Sequence, residues 1–162
     1  MTSLWCVRKD GDPAAFALYL RHYSSQKRSS KARLPLFVGP GEKLVLVTAR
    51  GDAALAWRKM RYSLDGQCGV CCTLFRNESL YRSSHLIQEA MQLAWKRWPG
   101  ERLYTYVDPK SVRSVNPSFC FKKAKWRACG QTRKGLHCFE SFPGNCTLGT
   151  ANAGFLLPPV EK

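Results

Sequence analysis

The chain has 162 residues, of which 44% are hydrophobic and 12% aromatic. This length and composition suit one domain with a continuous core and exclude an intrinsically disordered chain. Twenty-six Lys and Arg against 11 Asp and Glu give a formal net charge of +15. Because so large an excess causes self-repulsion and most often serves to attract a polyanion, nucleic acid is the favoured partner, ahead of an anionic membrane.

The N-terminal residues and the cysteines favour a location inside the cell. Residues 1–9 are not followed by the apolar segment of a secretory signal, and no apolar run is long enough to span a bilayer. We therefore expect a cytoplasmic protein with no membrane partner, in which the eight cysteines are reduced thiols. Cys68, Cys71 and Cys72 have the spacing of half a zinc site, but no second pair follows, and we interpret Cys71 and Cys72 as small hydrophobes of a strand.

The first half of the chain predicts one helix followed by three antiparallel strands. Residues 13–23 are rich in helix formers, and Phe16, Tyr19, Leu20 and Tyr23 have the spacing of one apolar face. The polar and basic segment 24–33 is predicted to be a loop. Apolar and β-branched runs, separated by Gly-containing turns, predict strands at 43–48, 53–62 and 69–75.

The second half predicts a long helix, a strand, a short helix and a hairpin. From Ser83 to Trp98 the apolar residues follow the helical period, and Ser83 or Ser84 is the expected N-cap. The other predicted elements are a strand at 102–107, a helix at 116–126, and hairpin strands at 128–132 and 136–139.

This order of elements predicts an α+β fold with one βαβ crossover, that is, a mostly antiparallel sheet flanked by helices. We expect one domain over residues 1–141. Residues 142–162 lack periodicity and contain Pro and Gly, so they are predicted to form an irregular C-terminal extension.

The chain carries a set of short motifs, and the resemblance that they support covers roughly residues 16 to 140. The motifs are His22 to Ser24 (HYS), Leu74 to Glu78 (LFRNE), Ser83 with Ser84, Tyr106 to Pro109 (YVDP), Val112 to Ser114 (VRS), Asn116 to Trp126 (NPSFCFKKAKW) and Gly130 to Thr132 (GQT). Together they resemble the Mom family of phage DNA-modification proteins, which belongs to the Gcn5-related N-acetyltransferase superfamily.

The resemblance implies a GNAT-like fold in which the fourth and fifth strands splay apart and hold a CoA thioester in the gap. It implies modification of adenine at the exocyclic N6, by carbamoylmethylation or acyl transfer, which protects phage DNA from host restriction. The expected donor is acetyl-CoA or a related acyl-CoA, the expected partner is double-stranded DNA, and the location is the host cytoplasm. The identity of the donor group, any metal ion and the oligomeric state stay open.

The candidate catalytic residues are Asp108, His22, Tyr23 and Arg76. The Asp108 carboxylate could accept a proton from adenine N6 or orient the base, although Asp before Pro is also a common turn residue. His22 could be a base or a metal ligand, or simply a surface or core histidine. Arg76 follows a buried strand, so its positive charge must be neutralised by Glu78, Asp108 or a ligand phosphate.

The start of the long helix is the candidate cofactor site, because free N–H groups and the helix dipole attract phosphate there. No glycine lies between Gly69 and Gly100, unlike the Gly-rich loop of ordinary acetyltransferases, so CoA affinity should be weaker. Phe119 and Phe121 occupy the region where those enzymes often place a proton-donating Tyr, which leaves Tyr23, Tyr104 or Tyr106 for that role. The candidate cofactor ligands are Arg82, Ser83, Ser84 and Asn116.

Basic residues of two regions are expected to contact DNA phosphates. They are Lys27, Arg28, Lys31 and Arg33 in the first loop, with Lys110, Arg113, Lys122, Lys123 and Lys125 near the site. Trp57 and Trp126 are expected in the core. Two other functions remain open: an ordinary acyl-CoA-dependent N-acetyltransferase acting on a small amine or protein, and a non-enzymatic DNA-binding protein on a degenerate fold of this type.

Overall fold

Three helices and seven strands make up the regular structure of residues 2–25, 36–63, 65–112 and 115–144, the part of the chain that the computed structural model describes. The fold class is α+β, as predicted. In chain order the elements are β1 (Trp5–Arg8), α1 (Pro13–Leu20), β2 (Glu42–Thr48), β3 (Ala53–Lys59), β4 (Val70–Asn77), α2 (Ser83–Arg97), β5 (Leu103–Val107), α3 (Phe119–Lys123), β6 (Arg127–Gln131) and β7 (His137–Ser141).

The strands form one open sheet in the order β1-β2-β3-β4-β5-β7-β6. Every neighbouring pair is antiparallel except β4 and β5, which are parallel and joined by the crossover helix α2. The parallel pairing stops after three residue pairs, the last being Cys72 with Thr105. Beyond it β4 stays paired to β3 as far as Asn77, and β5 stays paired to β7 as far as Val107. The two strands therefore part at their C-terminal ends.

The junction between β4 and β5 begins with a close approach of two backbones. Val70 N–H donates to the carbonyl of Arg102 at 2.8 Å. Gly69 precedes it with φ +117°, and a Cβ at this position would lie 2.3 Å from the Arg102 oxygen. Only glycine permits this backbone conformation and this approach without strain.

The sheet is covered on one face by α2 and α3 and on the other by α1. Trp57 and Trp126 belong to the first core cluster, where they are 0% and 4% exposed, so their predicted core positions are confirmed. The Trp57 indole N–H donates to the Ala90 carbonyl at 3.1 Å, which fixes α2 on the sheet. The second cluster packs Ala15 and Leu18 against β2, β3 and β4.

The predicted apolar face of the first helix is wrong. Helix α1 ends at Leu20, which is 51% exposed, whereas Ala15 and Leu18 are fully buried. The small side chain of Ala15 lets the helix approach the sheet. The aromatic ring of Tyr19 instead stacks on Phe37, with ring centroids 4.9 Å apart. The face was therefore set by close packing of small and aliphatic residues.

The predicted N-cap of the long helix is also wrong, and one strand was missed. The N-cap of α2 is Arg82, because the Ser83 hydroxyl accepts a hydrogen bond from the Asn77 side-chain amide at 3.0 Å instead of capping. Strand β1 has only four residues and lies at the sheet edge, where Val7 is 64% exposed, so it carries little alternation to detect.

The C-x-x-C-C run divides between core and surface. Cys72 is buried and Cys71 partly buried on β4, as interpreted, while Cys68 is exposed before the strand. Among the residues that the structure describes, no group of three His, Cys, Asp or Glu side chains is arranged to hold a metal ion. No helix in the described part of the chain is long and apolar enough to cross a membrane. Residues 145–162, most of the predicted extension, lie outside the described ranges.

Candidate functional site

A cavity of about 880 Å³ opens where β4 and β5 part. We call it the β4–β5 cleft. The two strand ends form two of its walls, the segment after α1 forms a third, and the start of α3 forms the fourth. The side chains that line it include Arg21, His22, Tyr23, Arg76, Asn77, Ser83, Asp108, Ser118, Cys120 and Phe121.

All four candidate catalytic residues line this cleft, although they come from three distant parts of the chain. Tyr23 and Asp108, 85 positions apart, are joined directly, since the Asp108 N–H donates to the Tyr23 hydroxyl oxygen at 3.3 Å. Burial raises the pKa of Tyr23, so its hydroxyl keeps its own proton at neutral pH. The fold thus brings the Tyr23 hydroxyl against the backbone of the residue that carries the candidate carboxylate.

Asp108 has the hydrogen bonds of a turn-capping carboxylate. Its Oδ1 accepts from the Lys110 N–H at 3.0 Å, and its Oδ2 accepts from the Ser111 hydroxyl. These two contacts, the Ser111 hydroxyl first, lower the pKa of Asp108, so the group is ionised at neutral pH. The turn interpretation is therefore confirmed, and the same carboxylate remains on the wall of the cleft with an acceptor lone pair left on each oxygen.

His22 lies just after α1, not within it, and is neutral at physiological pH. Burial, followed by the charge of Arg76, lowers its pKa to about 4. The Ser24 N–H donates to Nδ1 at 3.1 Å, which makes Nδ1 the acceptor and places the imidazole proton on Nε2. In this tautomer Nε2 carries a proton and can donate a hydrogen bond to a ligand.

Glu78 forms an ion pair with Arg76, and it is one of the three partners considered from the sequence. Arg76 Nε donates to Glu78 Oε1 at 2.8 Å, and its Nη1 donates to the Arg21 carbonyl at 2.7 Å. Arg21 binds the same carboxylate through Nε and Nη2, both at 2.8 Å. Two guanidinium groups on one carboxylate lower the pKa of Glu78 to about 2, and they leave one positive charge in excess beside the cleft.

The tyrosines of β5 differ in access to the cleft. Tyr106 lines it, and its hydroxyl donates to Asp65. Burial raises the pKa of both Tyr106 and Tyr104, so both hydroxyls are protonated at neutral pH. Tyr104 is 4% exposed and does not line the cleft. Because the single proton of Tyr106 is given to Asp65, Tyr23 is the residue of these three whose hydroxyl can donate a hydrogen bond within the cleft.

The candidate cofactor ligands do not converge on one cavity. Ser83 lines the β4–β5 cleft, whereas Arg82 lines a second cavity of about 950 Å³ beside α2, together with His85 and Glu89. Ser84 and Asn116 line neither cavity, and Asn116 Oδ1 accepts from Lys122 Nζ at 3.2 Å. The Arg82 side chain makes no capping hydrogen bond to the first turn of α2.

Four of the expected DNA contacts are exposed near the cleft. Lys110 follows Asp108 in its turn, and Lys122, Lys123 and Lys125 lie at or just beyond the end of α3, whose first residues line the cleft. Lys123 Nζ lies 5.6 Å from the centroid of the Phe119 ring. The other expected contacts, Lys27, Arg28, Lys31, Arg33 and Arg113, lie outside the described residues.

Several cleft residues carried no recognisable signal in the sequence. Arg21 joins the site only because α1 ends opposite the end of β4, and Ser111 only because the Asp108 turn brings it back. Ser118 and Cys120 belong to α3 and its N-cap, where Ser is an ordinary capping residue. Arg21 depends on a contact between elements 57 positions apart, which no local pattern reports, and the place of the other three follows from where the Asp108 turn and α3 meet the cleft.

No protein-family model, curated protein or solved structure matches this chain. The geometry of the cleft and the motifs of the sequence therefore carry the functional argument.

Proposed function

We propose that this protein is a Mom-like DNA-modifying enzyme with a GNAT-like fold, which transfers a group to the exocyclic N6 of adenine within the β4–β5 cleft. The observation that carries the proposal is that His22, Tyr23, Arg76 and Asp108, chosen from separate motifs, line one cavity. It opens where the fourth and fifth strands part, the place at which this type of fold would bind donor and acceptor. Protection of phage DNA from host restriction is the biological role that we propose for it.

Charge supports DNA as the substrate. The formal net charge is +15, and one positive charge of the Arg21–Arg76–Glu78 group is not neutralised by its partner carboxylate. Exposed lysines flank the cleft on the Asp108 turn and on α3. Phosphates bound at these positions would hold the duplex over the cleft opening, while the base to be modified leaves the stack.

An acyl-CoA is the proposed donor, and the start of α2 is the place for its phosphates. Arg82 gives the first turn no side-chain cap, and the His85 and Leu86 N–H groups donate to the Arg82 carbonyl, so the N–H groups of Ser83 and Ser84 are the ones proposed to bind an anion. Ser83 lines the cleft at this turn, so phosphates bound at the start of α2 would lie next to the β4–β5 cleft. When bound, such a donor supplies the activated group, and everything else is done by the residues of the chain.

Each candidate residue has a distinct task at the acceptor base. The ionised Asp108 carboxylate would accept a hydrogen bond from N6 and take one of its protons as nitrogen bonds to the carbonyl carbon of a thioester donor; the carbon–sulfur bond would break, and the Tyr23 hydroxyl would protonate the leaving thiolate. His22 Nε2 and the Tyr23 hydroxyl donate hydrogen bonds that hold the base or the departing group. Arg76, oriented by Glu78, keeps a positive charge near the phosphates.

The direct test is mass spectrometry of nucleosides from DNA coexpressed with the protein. The wild type should produce a new adenine adduct, and Asp108→Asn should remove it while the fold persists, because Asn can accept the turn hydrogen bond but carries no charge. Asp12→Asn is the matched control, since Asp12 also caps backbone N–H groups through its carboxylate but lies at the start of α1. An Asp108→Asn variant as active as wild type would return Asp108 to a purely structural role.

A non-enzymatic DNA-binding protein is the second candidate, and one observation favours it. Both oxygens of Asp108 already accept hydrogen bonds within its own turn, which gives the residue a structural task independent of catalysis. In that case the protein binds DNA, but mass spectrometry detects no modified nucleoside. An ordinary acyl-CoA-dependent N-acetyltransferase would instead acetylate small amines or proteins and leave DNA unmodified, so a new adenine adduct in this assay supports only the proposed function.

A further inference from the structure

Ser118 is a buried polar residue in the wall of the β4–β5 cleft. It is 5% exposed, and its Oγ has no hydrogen-bond partner among the described residues. Its backbone has φ +75°, the left-handed region that a side chain other than glycine rarely adopts. One residue therefore combines an unsatisfied buried hydroxyl with a strained backbone.

The ordinary reason for a serine before a helix does not apply here. A capping serine has an extended backbone, and its hydroxyl accepts from an N–H in the first helical turn. Ser118 precedes α3, yet its backbone is left-handed and no capping hydrogen bond forms. Only its backbone carbonyl joins the helix, by accepting from the Lys122 N–H at 3.0 Å, so the buried hydroxyl contributes no hydrogen bond to α3.

Both features lower the stability of the free protein. A buried hydroxyl without a partner loses its hydrogen bonds to water and gains none, and a left-handed non-glycine residue adds backbone strain. Such costs cluster at sites that bind ligands, because the ligand restores what the free protein lacks. The surroundings of Ser118 are apolar: Cys120 and Phe121 line the same wall, and Phe121 meets Phe75 edge to face with centroids 6.2 Å apart.

We propose that the Ser118 hydroxyl is a base-recognition group, which rotates about the Cα–Cβ bond towards the cleft and hydrogen-bonds to a ring nitrogen of the adenine held there. The inference rests on the proposed function and names how the base is oriented. Aromatic and thiol side chains give a flat base an apolar surface without fixing its rotation. A single polar atom in that wall fixes the rotation, as in other largely apolar ligand sites.

The test compares the affinity of the protein for an oligonucleotide that carries adenine with its affinity for one that has the same backbone charge but no bases. The probes are a fluorescent single-stranded 12-mer of deoxyadenosine and the same backbone with abasic residues, titrated by anisotropy, so that no duplex has to be opened. Wild type should prefer the adenine oligonucleotide. Ser118→Ala and Ser118→Gly should each weaken adenine binding about tenfold, the loss of one hydrogen bond, and leave abasic binding unchanged.

Thermal unfolding distinguishes a ligand-binding role from a structural one. Ser118→Ala removes the unpartnered hydroxyl, and Ser118→Gly removes the backbone strain as well, so Tm should rise in that order. Lys125→Gly, at the other positive φ of a residue other than glycine in the described chain, calibrates the rise due to strain alone. Ser141→Ala is the matched control for affinity, because its buried Oγ also lacks a partner among the described residues but lies on β7, outside the cleft.

The outcomes separate the inference from the proposed function. Lower affinity for adenine with equal or higher Tm supports the inference, provided that Ser141→Ala binds both probes as wild type does. If Ser118→Ala keeps the wild-type preference for adenine, or loses thermal stability, the role assigned to Ser118 is wrong while the proposed function stands. If wild type itself shows no preference for adenine, both fall.

Discussion

Replacing Gly69 by alanine should disrupt the junction from which the cleft opens. The left-handed φ of +117° disfavours any residue with a Cβ, at about 1–2 kcal/mol. The new Cβ would also lie 2.3 Å from the Arg102 carbonyl oxygen, a backbone atom that cannot swing aside. Relieving such overpacking adds about 1–3 kcal/mol, and losing the Val70–Arg102 hydrogen bond adds about 1 kcal/mol.

We therefore expect Gly69→Ala to lower the free energy of unfolding by about 3–6 kcal/mol, against a total of about 5–15 kcal/mol for a typical domain. The matched control is Gly66→Ala, three residues earlier. Gly66 also has a positive φ, +72°, but a Cβ added there would meet nothing within 4 Å, so only the backbone cost of about 1–2 kcal/mol remains.

Urea denaturation followed by tryptophan fluorescence measures both variants, because a change in midpoint at constant slope reports a change in stability. Equal losses for the two variants would mean that the close contact with Arg102 contributes nothing, and the account of the junction would be refuted.

Three further predictions concern the cleft. Folding lowers the pKa of His22 from its ordinary 6.5 to about 4. The neutral form therefore contributes fully to the free energy of unfolding above pH 6.5, and this contribution is lost as the pH falls towards 4. In urea titrations His22→Gln should lose less stability than wild type between pH 6.5 and pH 4. Duplex DNA binding should weaken steeply between about 50 and 200 mM salt, with a slope near −0.9 for each phosphate contacted, and a flat profile in anisotropy titrations would remove the polyanion argument. Calorimetry should show acetyl-CoA binding to wild type and weaker binding to Arg82→Ala; absence of heat with wild type up to millimolar ligand would exclude the acyl-CoA donor.

Periodicity in the sequence was sufficient for the main elements of the fold. The apolar repeat from Leu86 to Ala94 located α2 to within a residue at its C-terminal end, and the β-branched run around Val45 located β2. Short elements escaped because four residues such as those of β1 are too few to display a period. Ends of helices were also uncertain, because Asn77 competes for the Ser83 hydroxyl through a contact that spans the β4–α2 loop.

The candidate site was predictable only where two residues are close in the sequence. Arg76 and Glu78 are two positions apart, so their ion pair could be anticipated, and Asp108 before a proline suggested the turn that it forms. Arg21 shares Glu78 across 57 positions, and this contact depends on how α1 meets the sheet. The tautomer of His22 likewise depends on the backbone of Ser24 after α1, which composition does not report.

The order of strands has a consequence for how the sequence of this protein can evolve. On one side of the cleft the sheet uses β1 to β4, and on the other it uses β5 to β7, so each side is one uninterrupted length of chain. Insertions and deletions in one length leave the hydrogen-bonded ladders of the other intact. The two sides of the cleft are thus free to diverge separately, provided that the three residue pairs from Val70 to Cys72 are kept.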